Sequence, residues 1–373
     1  MKPKLLLIAD TYYPKVDGTL KFMEEFLQRS RHDFEISLLV PDFGIRKGNN
    51  ITYVETSKYL NISGYPSIKL SFKNISLIKK TIKEADLVFI QGPALLSYIS
   101  IYYSSKLGKK TLFYLHTISW ELFQQFAPPF LNKLLYAFVK RMSTALYNRC
   151  DELLVPYPEL KDHLTANGVK TSINIAKLGV DIDLFSPPKD SHAMRKKLHL
   201  PLKEKIIGYV GRVSKEKNVT VLRQAFHKLA SKNTHLLIVG DGPEDQIVPF
   251  RTTSRCTVTG FVNNVQDYLQ AMDIFVMPSL TETTSLTTLE AMASGLPVIA
   301  TKVGFIKEYI SKDYNGIFFP KNSSSFLAVK IEKLLKSPVL RQKLGQNARK
   351  TIVYSFSWDR SINRIKRILL HHI

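Results

Sequence analysis

The sequence predicts an α/β protein made of two parallel-sheet domains in succession. Three observations carry this. Short apolar runs of strand length alternate with longer amphipathic runs. The alternation restarts after residue 200. Between the two series lies "FSPPKDSHAMRKKLHLPLKE" (185–204), rich in proline and charge, which reads as a linker. At 373 residues, 45% of them hydrophobic, the chain is long enough for two ordinary domains with full cores.

In the first series, "KLLLIA" (4–9), "EISLLVP" (35–41), "DLVFIQ" (86–91), "TLFYLH" (111–116) and "ELLVP" (152–156) read as buried strands, being apolar without alternation. "LKFMEEFLQRS" (20–30) and "SLIKKTIKEA" (76–85) carry helical spacing between them. In the second series, "KIIGYVG" (205–211), "THLLIVG" (234–240), "IFVMPS" (274–279) and "LPVIAT" (296–301) are strands. "VTVLRQAFHKLA" (219–230) and "SLTTLEAMASG" (285–295) are helices. Two Rossmann-like domains of this kind are expected to face a central cleft lined by the C-terminal ends of both sheets, where open α/β sheets bind ligands.

Composition narrows the classes. Two cysteines give no disulfide framework and no zinc pattern, and suit a reducing, cytoplasmic compartment. The apolar start of the chain is too short for a signal core and reads as a first strand. No run approaches the roughly 18 apolar residues of a membrane span. The net charge of +22 favours an anionic partner: a nucleotide, a nucleic acid or an acidic lipid surface. The basic residues are spread along the chain with no nucleic-acid motif, so a basic nucleic-acid-binding protein is the weaker reading.

The segment "TETTSLTTLEAMASGLPVIAT" (281–301) holds two carboxylates eight positions apart, Glu282 and Glu290, around a helix expected to start at Ser285 or Leu286. A helix N-terminus suits a phosphate, and carboxylates suit hydroxyls, so the arrangement fits a sugar nucleotide. By spacing alone, a capping residue and a surface charge fit equally well.

The neighbouring residues favour the sugar nucleotide. Glu282-x7-Glu290, with "EAMASGLPVIAT" after it, resembles the signature of the retaining glycosyltransferases of family 4, which have the GT-B fold. The resemblance continues in order along nearly the whole chain. It takes in "YYPKVDGTLKFMEEF" with Gly18, "YLHT" with His116, "KLGVDIDLFSPP", and "YVGRVSKEKNV" with Gly211, Arg212 and Lys217. "IVGDGPED" with Gly240, "TGFV" with Phe261 and Val262, and "FSW" with Trp358 complete it. It departs at Thr283-Thr284-Ser285, where the family often has Gly-Phe-Gly, and in carrying one glycine, Gly18, where many members have two.

The resemblance implies residues 1–185 as the acceptor-side domain, 186–204 as linker and 205–355 as the donor-side domain. Residues 356–373 would form a helix returning to the first domain. It further implies that Arg212 and Lys217 meet the diphosphate, Glu290 the ribose, and Glu282 and His116 the transferred sugar. His116, Arg212, Lys217 and Glu282 form the expected catalytic set. Gly18, Gly211, Gly240, Phe261, Val262, Ser285, Leu286 and Thr287 would join Arg212, Lys217, Glu282 and Glu290 in lining the donor. A lone histidine after a strand is otherwise structural, and an Arg-x4-Lys spacing on a basic chain is otherwise surface charge. Asp181-x-Asp183 has the spacing of a metal-binding pair, but no metal and no cofactor is expected, because the two cations supply the electrostatic work of a metal.

The expected activity is transfer of a hexose from a UDP- or GDP-sugar to an acceptor hydroxyl with retention. The expected acceptor is a membrane lipid or lipid-linked glycan. A soluble acceptor and a GT-B sugar-nucleotide epimerase stay as alternatives. In residues 119–149, Phe130, Leu134, Leu135, Phe138 and Val139 share helical spacing with Lys133, Lys140 and Arg141 alongside. That pattern suits either a helix lying on an anionic membrane or a core helix with a basic outer face. The first reading leads to an expected peripheral place on the cytoplasmic face of a membrane.

Overall fold

A computed structural model describes residues 2–14, 18–62, 65–120 and 132–373. The chain forms two compact units, Met1–Lys177 with Ser361–Ile373, and Leu178–Arg360.

The first unit is built on β1 (Lys4–Ala9), β2 (Glu35–Asp42), β3 (Ile51–Ile62), β4 (Tyr65–Ile68), β5 (Leu87–Gly92), β6 (Lys110–Leu115), β7 (Glu152–Val155) and β8 (Ser172–Ile175). Their order across the sheet is β4-β3-β2-β1-β5-β6-β7-β8. Every pairing is parallel except β3 with β4. The central strand β1 buries Leu5 to Ala9 completely, as an apolar run covered on both faces should. Helix α1 (Gly18–Ser30) turns Leu20, Phe22, Met23 and Phe26 into the core. Helices α2 (Phe72–Glu84), α3 (Leu95–Lys106), α4 (Asn132–Tyr147) and α5 (Pro158–Ala166) complete the layers. α2 begins on a capped end, where the Ser71 side chain accepts from the Asn74 amide.

The second unit opens with α6 (Ser191–Lys197). It continues through β9 (Lys205–Val210), α7 (Val219–His227), β10 (Thr234–Val239), α8 (Glu244–Arg251), β11 (Cys256–Val258), α9 (Val265–Ala271) and β12 (Ile274–Met277). Then come α10 (Leu286–Ala293), β13 (Val298–Thr301), α11 (Ile306–Tyr309), β14 (Ile317–Phe319), α12 (Ser324–Lys336) and α13 (Pro338–Ser355). The strand order is β11-β10-β9-β12-β13-β14, all parallel. That is the 3-2-1-4-5-6 order of a doubly wound sheet, and its direction of growth reverses between β9 and β12. In the first unit the same reversal falls between β1 and β5.

Two boundaries differ from the sequence reading. The expected linker, 186–204, is folded into the second unit, which begins at Leu178. Asp190 caps α6 by accepting from the amides of His192 (2.8 Å) and Ala193 (3.2 Å). Arg195 is buried and donates to Ala271 O (2.9 Å) and Asp273 (2.6 Å). Proline and charge suggested a spacer, whereas the charge is spent on an internal ion pair. At the far end, the last helix α14 (Trp358–His371) joins the first unit only from Ser361 onward. There Ile362, Ile365 and Leu369 are buried, Arg364 donates to Ile175 O (2.6 Å), and Lys366 pairs with Asp33 (2.9 Å).

Candidate active site

In open α/β sheets ligands sit beyond the carboxyl ends of the strands where the winding reverses. In the second unit that place is the pair of loops after β9 and β12, and three of the four expected catalytic residues, Arg212, Lys217 and Glu282, lie on them. Gly211, Arg212 and Lys217 follow β9, and Glu282 follows β12. The two loops are stitched together by Leu280 N donating to Glu216 O (2.9 Å). Lys217 Nζ lies 2.8 Å from Glu282 Oε1, and Ser279 Oγ donates to the same oxygen at 2.7 Å. The Glu282 side chain is 7% exposed, so this ammonium and hydroxyl carry most of the compensation that a sequestered carboxylate needs.

Arg212 is more open, at 63% exposed, and lies 3.6 Å from Glu216, which is itself 3.7 Å from Lys217. Glu216 therefore stands between the two cations. Tyr209, whose hydroxyl donates to Arg212 O (2.8 Å), shapes the turn from below. Burial lifts the phenols of Tyr209 and Tyr309 well above their usual range, and the Glu282 charge adds to both.

Backbone packing fixes the loops. A Cβ on Gly240, which has φ +137°, would stand 2.1 Å from Gly211 O. Gly240 bridges Gly260, so the ends of β9, β10 and β11 close on one another through glycine, with Phe261 exposed and Val262 half-buried beside them. On the other side, a Cβ on Gly304 would stand 1.6 Å from Glu282 O. α10 begins at Leu286, as expected, after Ser285 in a left-handed conformation (φ +58°) with its hydroxyl 2.8 Å from that of Thr288. The amides of Leu286 and Thr287 have no acceptor among the described residues. Glu290 lies one turn into this helix, half-buried. Asp181, of the rejected metal pair, caps its own turn by accepting from the amides of Asp183 (3.1 Å) and Leu184 (2.9 Å).

His116 belongs to the first unit, directly after β6. Its Nε2 is 2.7 Å from Gln91 Oε1 on the neighbouring strand β5. The ring packs against Tyr114 (4.6 Å between centroids) and Phe22 (5.7 Å). Burial pulls the imidazole down to about 3. Asp10, after β1, accepts from the Ser97 amide (3.1 Å) at the start of α3, and burial raises its carboxyl to about 6. Gly18 was expected at a turn. It is the first residue of α1, and residues 15–17 of its loop lie outside the described residues.

The sequence reading missed Gln91, Glu216 and Ser279. Glu216 lies inside a loop already singled out. Gln91 ends a strand consecutive with that of His116, which is the signal that could have found it. Of the expected membrane stripe, Phe130 and the side chains of Lys133 and Leu134 lie outside the described residues. The remainder of α4 splits: Val139 is buried, whereas Phe138 (64% exposed), Arg141 and Met142 face outward.

Comparison with known proteins agrees with this architecture. Sulfoquinovosyl transferase SQD2 of Arabidopsis thaliana is 27% identical over 310 residues, covering 80% of this chain. The chain spans only 59% of that protein's length. Alpha-monoglucosyldiacylglycerol synthase of Acholeplasma laidlawii is 23% identical over 370 residues, covering 92% of this chain and 90% of the relative. The crystal structure of HepE from Anabaena in complex with UDP superposes with a TM-score of 0.80 at 18% identity, covering 99% of this chain and 100% of that one. The fold is thus GT-B, with two Rossmann-like units. The model for family 4 glycosyltransferases matches residues 22–184 and that for group 1 glycosyl transferases matches residues 190–351, and the chain belongs to this glycosyltransferase family.

Proposed function

We propose that the protein is a retaining hexosyltransferase acting on a UDP- or GDP-sugar, with a membrane lipid or lipid-linked glycan as acceptor. The observation that carries this is the Lys217–Glu282 pair, 2.8 Å apart where the second sheet reverses, with Arg212 two residues past the end of β9. One carboxylate and two cations at this place suit sugar hydroxyls and a diphosphate respectively.

In the reaction, the bond from the anomeric carbon to the diphosphate breaks and a bond to the acceptor oxygen forms on the same face. The acceptor's proton passes to the departing phosphate oxygen. Negative charge grows on the nucleoside diphosphate as it leaves, and Arg212 and Lys217 stabilise it without a metal. Once a phosphate engages Lys217, the Glu282 carboxylate is free to accept from hydroxyls of the transferred sugar. Glu290 holds the ribose, and His116 bonds the sugar. The backbone amides at Gly18, Gly211, Ser285, Leu286 and Thr287, and the walls at Gly240, Phe261 and Val262, complete the donor site.

The lipid acceptor rests on the name of one relative, alpha-monoglucosyldiacylglycerol synthase, and on outward-facing Phe138, Arg141 and Met142 in a chain of net charge +22. Among the described residues no helix is long and apolar enough to cross a membrane. The proposed attachment is therefore peripheral, on an anionic cytoplasmic face.

The test offers purified protein a panel of UDP- and GDP-sugars, with anionic liposomes carrying lipid acceptors and with EDTA, and follows nucleoside diphosphate release. Release with one donor, needing lipid and indifferent to EDTA, is the expected result. Loss of release in EDTA would overturn the metal-free step, and release without lipid would overturn the acceptor. Replacing Arg212 or Lys217 by Ala should lower kcat by about 10²–10³-fold.

A further inference from the structure

His116 and Gln91 form an arrangement that the assignment of His116 to the sugar leaves unexplained. Gln91 is fully buried, and its carbonyl oxygen lies 2.7 Å from His116 Nε2. Its amide nitrogen, equally buried, has no hydrogen-bond partner among the described residues. A buried donor left unspent costs stability, and an apolar side chain of the same shape would avoid that cost. The carbonyl end is the one turned to the imidazole. What it touches is one nitrogen of an imidazole held on its flanks by Phe22 and Tyr114. The ring cannot turn freely between those neighbours. Among the described residues its Nδ1 has no partner.

We infer that Gln91 is a positioning residue that holds His116 in the Nε2–H tautomer, so that Nδ1 presents a lone pair and accepts from a substrate hydroxyl. The hydrogen bond made by one ring nitrogen decides which nitrogen carries the proton. A carbonyl oxygen can only accept, so the proton sits on Nε2 and the other nitrogen is an acceptor. His116 then reads the proton of a hydroxyl. It neither donates to the sugar nor shuttles protons, and burial keeps it neutral across the working pH range. The inference rests on the proposed contact between His116 and the transferred sugar for its functional meaning, but not for the tautomer itself.

The experiment is nitrogen-15 histidine labelling of the whole chain, with the His116 resonances assigned by their loss in His116→Phe. Long-range proton–nitrogen correlation reports the tautomer directly, without turnover. A protonated Nε2 with a bare Nδ1, unchanged from pH 8 to pH 5, is expected. A protonated Nδ1, or an even mixture, overturns the inference on wild-type protein alone. Gln91→Leu should mix the tautomers and Gln91→Glu, which keeps an acceptor, should restore the Nε2–H form. In the transferase assay, Gln91→Leu should lower kcat/KM by about 10- to 100-fold, the range for losing a partner that orients a histidine. Nucleotide binding, read by thermal shift, should be unaltered. Unmixed tautomers in Gln91→Leu would overturn the role of Gln91. Absence of turnover in wild type beside a pure Nε2–H signal would instead overturn the proposed sugar contact and leave the tautomer standing.

Discussion

Two titrating groups of the first unit are shifted in opposite senses, and Asp10 offers the cleaner test. Its carboxyl is raised to about 6 because burial disfavours the charged form more than the Ser97 amide favours it. Between the ordinary carboxylate value and 6, the folded chain holds a proton that the unfolded chain has released. Stability from this group is therefore greatest in acid and falls as pH rises through that window. At pH 7.5 the burden is at most about 3 kcal/mol, taking 1.36 kcal/mol per unit. Asp10→Asn keeps an oxygen for the Ser97 amide and removes the charge. Its thermal midpoint should exceed wild type at pH 7.5 and converge with it near pH 4. A gap that does not change with pH would refute the assignment. At this scale the sequence was partly legible. Glu282 and Lys217 stood out by their neighbours, but their mutual contact depends on β9 lying beside β12, a pairing between strands far apart in the chain.

At the scale of the element, the loop from Pro278 to Ser285 and the turn at Gly304 support each other. Phe305 N donates to Thr283 O (2.8 Å), Tyr309 hydroxyl to Thr284 O (2.9 Å), and Gly304 leaves room for Glu282 O. Gly304 also has φ +48°, where a side chain is strained. Gly304→Ala must push the backbone carrying Glu282. We expect a loss of kcat of about 10²-fold, the scale for a misplacement near 1 Å, at a modest drop in thermal midpoint. Equal kcat in mutant and wild type would show that the loop tolerates the shift. Strands with four or five apolar residues in a row, such as β1, β5 and β6, were readable, as was α10. Strands β11 and β14 have three residues each, too few to show a period, and α3 carries apolar residues around most of its girth, so no face declared itself.

At the scale of the whole molecule, the chain ends in the unit where it began. From Ser361 onward α14 buries Ile362, Ile365 and Leu369 among residues of the first unit. Ile365→Ala should destabilise that unit by about 2–5 kcal/mol, read as a lowered first transition on heating. Nucleotide-induced stabilisation of the second unit should be retained, and its loss would contradict the division into two units. The return of the chain was legible only by resemblance, since nothing in the helix itself names its partner. The linker was misread because Arg195 finds Ala271 and Asp273 nearly eighty residues away. One feature of the second sheet bears on heritable change. Where β9 and β10 end, Gly211 and Gly240 touch through bare peptide, and a Cβ on Gly240 would collide with Gly211 O. A surface made of backbone has no side chain for mutation to edit. Substitution can reach the exposed side chains beside it, such as Phe261, but finds no room at Gly240 itself.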